Sequence, residues 1–251
     1  MGVVNISPES FFSGSYVQEG HIFQAVEKMH IDGADIIDIG ARSTAPGSPP
    51  ISVEEEKNRL THALKELDGL DMPISIDTMY PEVLKAALKF EVHLANDISG
   101  LIHPDMGRII ADHGIPTVLM AANQAPGDSV TFDQTKVALN KVLNRAEEAG
   151  VEQVILDPAV GKWIPERTPH ADFELCRRFR ELHEFNCPLL AAVSRKSFIG
   201  SAVGKEAEGR LAATLGVTTH LILSGASMIR THDVAETRDI IIVNSALQQV
   251  S

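Results

Sequence analysis

The chain has 251 residues, of which 44% are hydrophobic and 22% charged, with a formal net charge of −12 at pH 7. That length suits one α/β barrel domain over 1–251, and the acidic balance argues against a nucleic-acid surface. There is no 18-residue apolar run and no basic-then-apolar leader, so neither a membrane partner nor a secretory signal is expected and a cytoplasmic location follows. Cys176 and Cys187 are too few for a disulfide framework or a metal knuckle and read as reduced thiols.

In chain order, Gly2 to Asn5 opens as a strand. Met1 lies almost inside it, which fits a sequence with residues missing upstream. A helical pattern near 18–32 ends at Gly33, ahead of the apolar run Ala34 to Ile39. Ser52 followed by Glu55 marks a capped helix over 53–67, whose apolar face is Val53, Leu60, Ala63, Leu64 and Leu67. Strands are expected at Pro73 to Asp77 and Val92 to Asn96, separated by a helix near 81–90. A helix over 105–113 ends at Gly114 before Ile115 to Met120. A longer one over 133–149 ends at Gly150 before Val151 to Leu156. Helix 170–185 precedes Pro188 to Val193, and helix 206–224, rich in alanine and glycine and so expected to pack closely, ends at Gly225 before Ala226 to Arg230. Asp233 and Glu236 begin a last helix over 234–248. Glycine just past a helix closes it in the left-handed conformation, and the apolar run that follows enters the core. Eight such units imply a parallel sheet closed as a (β/α)8 TIM barrel.

Barrels of this kind carry their chemistry at the strand carboxyl ends. Those ends hold Asn5, Asp77, Asn96 with Asp97, Asp157, the segment Ser194-Arg195-Lys196-Ser197, and Arg230-Thr231-His232, with Arg42-Ser43-Thr44 after the second strand. One polar strand end is no more than a cap or turn, but so many on one rim exceed what capping explains. Asp77, Asn96, Asp157 and Lys196 suit a flat heteroaromatic ring with amide-like and amidine-like edges, since a carboxylate accepts two N–H bonds from such an edge. Asn5, Thr44, Arg230 and His232 suit an anion. Mutation should separate the halves, Asp157→Ala abolishing ring binding and Arg230→Ala mainly weakening the anion. Trp163 reads either as a loop residue lying over the ring or as a hydrophobic plug, and His62, His103, His113, His170, His183 and His220 as surface or packing groups without metal-site spacing. Glu147 and Glu148 belong to a solvated face.

The motifs Asn5-Ile6-Ser7-Pro8-Glu9-Ser10-Phe11, Asp38-Ile39-Gly40, Ser43-Thr44-Ala45-Pro46-Gly47, Ser75-Ile76-Asp77-Thr78, Asn96-Asp97-Ile98, Leu156-Asp157-Pro158, Ser194-Arg195-Lys196-Ser197 and Arg230-Thr231-His232-Asp233-Val234 together resemble the dihydropteroate synthase family, in that family's order and along the whole chain. The resemblance implies a transferase that joins a 6-hydroxymethyl-dihydropterin diphosphate to the amine of an aminobenzoate and releases pyrophosphate. It assigns the pterin to Asp77, Asn96, Asp157 and Lys196, with Asp77, Asp157 and Lys196 the catalytic set. It assigns the diphosphate to Asn5, Thr44, Arg230 and His232, with Mg²⁺ held at Asn5, and the arylamine to Thr44, Pro46 and Ser197.

This chain departs from the family pattern where Arg42 replaces a glutamate and Ala45 an arginine. Further departures are Ala159-Val160-Gly161-Lys162-Trp163 in a usually glycine-rich loop, and Met120-Ala121-Ala122 for Met-His-Met. Arg42 is expected to be a surface charge. Other readings stay open: an archaeal variant using a ribosylated aminobenzene phosphate for a methanopterin-type cofactor, a pterin-dependent methyltransferase acting on a corrinoid protein, and a pterin-binding scaffold. Apolar faces on the late helices are compatible with a homodimer.

Overall fold

The computed structural model describes residues 1–8, 16–43 and 48–249. Thr44 and Pro46, and with them part of the expected anion and arylamine sites, lie outside the described residues.

Strands and helices alternate as β1 (Gly2–Asn5), α1 (Ile22–Asp32), β2 (Ile37–Gly40), α2 (Val53–Glu66), β3 (Ile74–Asp77), α3 (Pro81–Ala87), β4 (Leu94–Asp97), α4 (Pro104–His113), β5 (Thr117–Met120), α5 (Phe132–Ala149), β6 (Val154–Asp157), α6 (Pro169–Arg177), β7 (Leu190–Ala191), α7 (Ser197–Val203), α8 (Leu211–Leu223), β8 (Met228–Ile229) and α9 (Val234–Gln249). Strands β1 to β6 form one parallel sheet in sequence order, and β7 pairs with β8 in parallel. Bridges Leu156↔Leu189 and Gly2↔Thr231 join the two sheets, and Val3 N–H to Thr231 O at 3.0 Å completes the ring. This is a (β/α)8 TIM barrel, with the expected cadence. Gly33, Gly114 and Gly150 close α1, α4 and α5 in the left-handed conformation, a backbone state that costs a residue without Cβ least.

Strand periodicity of two sends alternate residues into the barrel. Met1, Leu94, Val118 and Leu190 form a separate buried cluster with Ile36, Ile155 and Met228 packed on it. Two positions further along several of the same strands stand Asp38, Asn96, Asp157 and Arg230. The interior therefore has an apolar floor with polar side chains seated directly above it, towards the strand carboxyl ends. The outer faces of the strands pack on the helices in the larger core, which includes Ile37, Ile39, Ile76, Leu119 and Leu156.

Several local expectations change. The helix expected over 170–185 is α6 followed by a 3₁₀ helix, Phe179–Phe185. The one over 206–224 divides into a 3₁₀ helix, Ala207–Arg210, and α8. Of its small residues, Ala207 is buried and Ala213 packs against the core, whereas Ala212 and Gly216 are exposed and a Cβ on Gly216 would meet nothing within 4 Å. The Ser52 cap forms, accepting from Glu55 N–H at 3.1 Å, whereas the Asp233 carboxylate turns to Arg195.

Candidate active site

The site is organised by a residue that the strand pattern conceals. Asp38 lies inside β2, is 0% exposed, and its carboxylate accepts three side-chain bonds. These come from Ser75 Oγ at 2.6 Å, Asn96 Nδ2 at 2.9 Å and Arg230 Nε at 2.7 Å. Arg230 extends its other arm to Asp77, Nη2 to Oδ2 at 2.7 Å. Four strands, β2, β3, β4 and the end of β8, are thus tied by one charge-assisted network. Such a network is strong when fully satisfied and costly when one member is removed. Burial raises Asp77 above the ordinary carboxylate range, with Arg230 pulling it down and Asp38, Glu56 and Asp97 adding to the rise.

Asp157 ends β6 on the same mouth. Its Oδ1 accepts the Ala159 N–H at 2.8 Å, and burial raises it against the pull of Lys196. Lys196 shows the converse: burial lowers its ammonium, while Asp157 favours the charged form. Its Nζ donates to the Val160 carbonyl and lies 5.4 Å from the centre of the Trp163 ring. Trp163 Nε1 is buried without a partner among the described residues. Ser197 is exposed and opens α7 beside Lys196.

Arg195, adjacent in sequence, does not join Lys196 at the mouth. It adopts a left-handed backbone at φ 55°, and its guanidinium bonds both oxygens of Asp233 at 2.9 and 2.7 Å and the carbonyls of Ala207 and Glu208 at 2.8 Å each. It holds the turn that aims Lys196 the other way. Asp97 is likewise structural, bonded to the Ser99 and Leu101 N–H groups at 2.8 Å each.

Of the residues expected to hold an anion, His232 has its Nδ1 2.9 Å from Ser194 Oγ. Burial, then Arg230, pushes the imidazole down to about 4, so it is neutral at pH 7. The folded protein therefore binds this proton more weakly than the unfolded chain does. The associated stability is full above about pH 6.5 and is lost as pH falls towards 4, up to about 3 kcal/mol. Urea titrations at pH 7 and 4.5 are expected to show a smaller acid loss for His232→Gln than for the unmodified protein. Asn5, opposite Gly40 in register, accepts the Ser7 N–H at 3.0 Å.

Arg42 is not a surface charge. Its Nε bonds Glu56 Oε2 at 2.6 Å, with side-chain exposures of 12% and 2%, and it lies 4.8 Å over the Tyr80 ring. Glu56 Oε1 accepts Thr78 Oγ1 at 2.5 Å. A buried glutamate next to β3 demands a cation, and Arg42 supplies it.

Ala159 stands where the family pattern has glycine and carries φ 59° while 3% exposed. A Cβ in the left-handed region costs about 1–2 kcal/mol, partly offset by the greater chain entropy glycine loses. Ala159→Gly is accordingly expected to raise stability by about 0.5–1 kcal/mol in chemical denaturation.

A closed barrel with ionisable groups of opposite sign at its carboxyl-end mouth defines a (β/α)8-barrel enzyme. The sequence matches the family described as "Pterin binding enzyme" over residues 1–232. It is 34% identical over 250 residues to the dihydropteroate synthase of Escherichia coli K12, covering 94% of this chain and 87% of that protein. Similar solved structures include a dihydropteroate synthase from Coxiella burnetii in complex with pteroic acid, at TM-score 0.89, 29% identity, and coverage of 100% of this chain and 93% of that one. The Xanthomonas albilineans dihydropteroate synthase with 4-aminobenzoic acid gives TM-score 0.89, 32% identity and the same coverage. The chain belongs to the dihydropteroate synthase family of pterin-binding enzymes.

Proposed function

We propose that the chain is a dihydropteroate synthase-like transferase, condensing a pterin diphosphate with an aminobenzoate. The observation that best supports this is that Asp157 and Lys196, whose Nζ donates to the Val160 carbonyl just past β6, stand beside the Asp38–Arg230–Asp77 network on one mouth. Asp77, Asn96, Asp157 and Lys196 take the pterin, the Asp157 carboxylate accepting from the amino-pyrimidine edge. Asn5, Arg230 and His232 take the diphosphate, and Ser197 borders the arylamine. Thr44 belongs to both of the last two groups by the family pattern, and Pro46 to the arylamine.

The arylamine nitrogen attacks the pterin methylene. A C–N bond forms, the C–O bond to the diphosphate breaks, the electron pair leaves with pyrophosphate, and the amine loses a proton. No protein nucleophile is required; placement and electrostatics carry the acceleration. Asp77 and Asp157, with Lys196, fix the ring, and Arg230 faces the charge that develops on the departing oxygen.

Asn5 is a fitting Mg²⁺ ligand in kind, because a side-chain amide oxygen is a hard donor of the sort Mg²⁺ takes beside phosphate oxygens and waters. No group of three His, Cys, Asp or Glu suited to a metal occurs among the described residues, so the ion would be held mainly by the substrate. When bound it would neutralise charge on the leaving group.

The deciding experiment incubates the protein with dihydropterin diphosphate, Mg²⁺ and either 4-aminobenzoate or its ribosylated phosphate analogue, and identifies products by mass spectrometry. Dihydropteroate and stoichiometric pyrophosphate support the proposal. Product from the ribosylated amine alone moves the substrate to the methanopterin type, and no pyrophosphate from either amine defeats the proposal.

The partner surface we favour is a second copy of this chain. On the late helices Leu223 is 47%, Ile242 53% and Leu247 69% exposed, a large apolar area for one region. Sedimentation of the unmodified protein as a monomer at micromolar concentration would refute this. No helix among the described residues is long and apolar enough to cross a membrane. The free thiols of Cys176 and Cys187 suit the reducing cytoplasm, the compartment we assign.

A further inference from the structure

The departures in the loop after β6 have a buried counterpart that the activity does not by itself explain. Arg167 and Asp172, 3% and 1% exposed, form an ion pair, Nε to Oδ1 at 2.9 Å. The same Oδ1 accepts the Gly161 N–H at 2.8 Å. Arg167 Nη1 donates to the Ser129 carbonyl at 2.8 Å, which ties the loop after β5 to the loop after β6. The peptide so held joins Val160 to Gly161. Its carbonyl, on Val160, accepts from Lys196 Nζ, while its N–H, on Gly161, is the group bound by Asp172. Gly161 has φ 119°, and a Cβ there would come within 2.9 Å of Lys196 Cδ. The lysine stem thus lies against the bare Cα of the very residue that Asp172 anchors.

The geometry points to Arg167 and Asp172 as positioning residues for Lys196: they clamp the 160–161 peptide from behind so that its carbonyl faces the ammonium and its glycine leaves room for the stem. A buried ion pair that did no more than fill space could be exchanged for apolar groups at little cost. Here the carboxylate oxygen has a second task, orienting one peptide plane, which an apolar replacement cannot perform. Asp172 sits in the first turn of α6, where a carboxylate is also favoured by the helix dipole.

The inference about function enters only in naming Lys196 a pterin ligand; the clamp itself is a claim about where Lys196 is held. Two charge-neutral double variants test it. Arg167→Met with Asp172→Asn keeps an oxygen for the Gly161 N–H, and Arg167→Met with Asp172→Leu removes it. Lys196 accessibility is read as its acetylation rate by a water-soluble N-hydroxysuccinimide ester, measured by mass spectrometry against the exposed Lys141 as internal standard. Pterin affinity is read by calorimetry with a free pterin.

The Leu variant is expected to acetylate Lys196 at least fivefold faster and to bind pterin at least tenfold more weakly, with the Asn variant within twofold of the unmodified protein on both. Should the Leu variant not fold, Asp172→Ser, too short to reach Gly161, takes its place under the same criteria. Unchanged Lys196 acetylation in the folded Leu or Ser variant overturns the clamp, as does an equal rise in the Asn variant, which would mark a general loosening. Failure of the unmodified protein to bind pterin would instead count against the proposed function and leave the acetylation result standing.

Discussion

Replacing Asp38 by alanine is expected to lower stability by about 3–5 kcal/mol, because it leaves the Arg230 guanidinium buried without one of its two carboxylates and strands Asn96 and Ser75. In a chain of this size that is a fall of roughly 6–20 °C in the melting temperature. Turnover is expected to fall further than stability alone would require. Asp38 bonds both Arg230 and Asn96 and so sets their direction together, and displacing reactive groups by about an ångström costs on the order of a hundredfold. Asp38→Asn should be milder in stability but still defective in rate, since its amide presents an N–H towards groups that are themselves donors. Denaturation and steady-state assays on both variants check this; normal turnover in a folded Asp38→Ala protein would contradict it.

Arg230→Ala is expected to damage both ligand sites. From the strand ends alone, Arg230 belongs to the anion and Asp157 to the ring, so their mutants should separate cleanly. The bond from Arg230 to Asp77 joins the halves: without the cation, Asp77 is left in a buried acidic cluster that already raises its protonation range. Loss of charge-assisted bonds of about 1.5–3 kcal/mol corresponds to roughly 10- to 100-fold in affinity. Calorimetry should therefore show pyrophosphate weakened about a hundredfold and pterin about tenfold. Arg230→Lys should recover little, because an ammonium cannot span two carboxylates as the guanidinium fork does. Loss confined to pyrophosphate would mean that the bond to Asp77 is released on binding.

The barrel was legible because its punctuation is local. Helix ends at Gly33, Gly114 and Gly150 need only one residue in a left-handed state, and the apolar runs after them need only to be buried. Positions at the very ends of strands, such as Asp77, Asn96, Asp157 and Arg230, were legible for the same reason. Asp38 was not, since it lies within an apolar run and only its inward direction, set by strand pairing, reveals its partners. The signal available was the acid itself: a charge inside a fully buried strand must be answered elsewhere in the chain. Arg42 and Glu56 illustrate the complementary failure. Each alone looks like ordinary surface charge, one in a loop and one on an acidic helix start, and neither sequence position shows that the other is 2.6 Å away. Arg167 and Asp172 were hidden likewise, because an ion pair between a loop and a helix start has no periodicity.

The plug of Met1, Leu94, Val118 and Leu190 makes the barrel a cul-de-sac. Among the described residues that end is shut by side chains, so a molecule reaching the depth of the barrel would come from the strand carboxyl ends. On the assignment proposed above, a ring held by Asp38's neighbours would sit deeper than an amine beside Ser197, and the expected consequence is a queue in which the inner guest enters first.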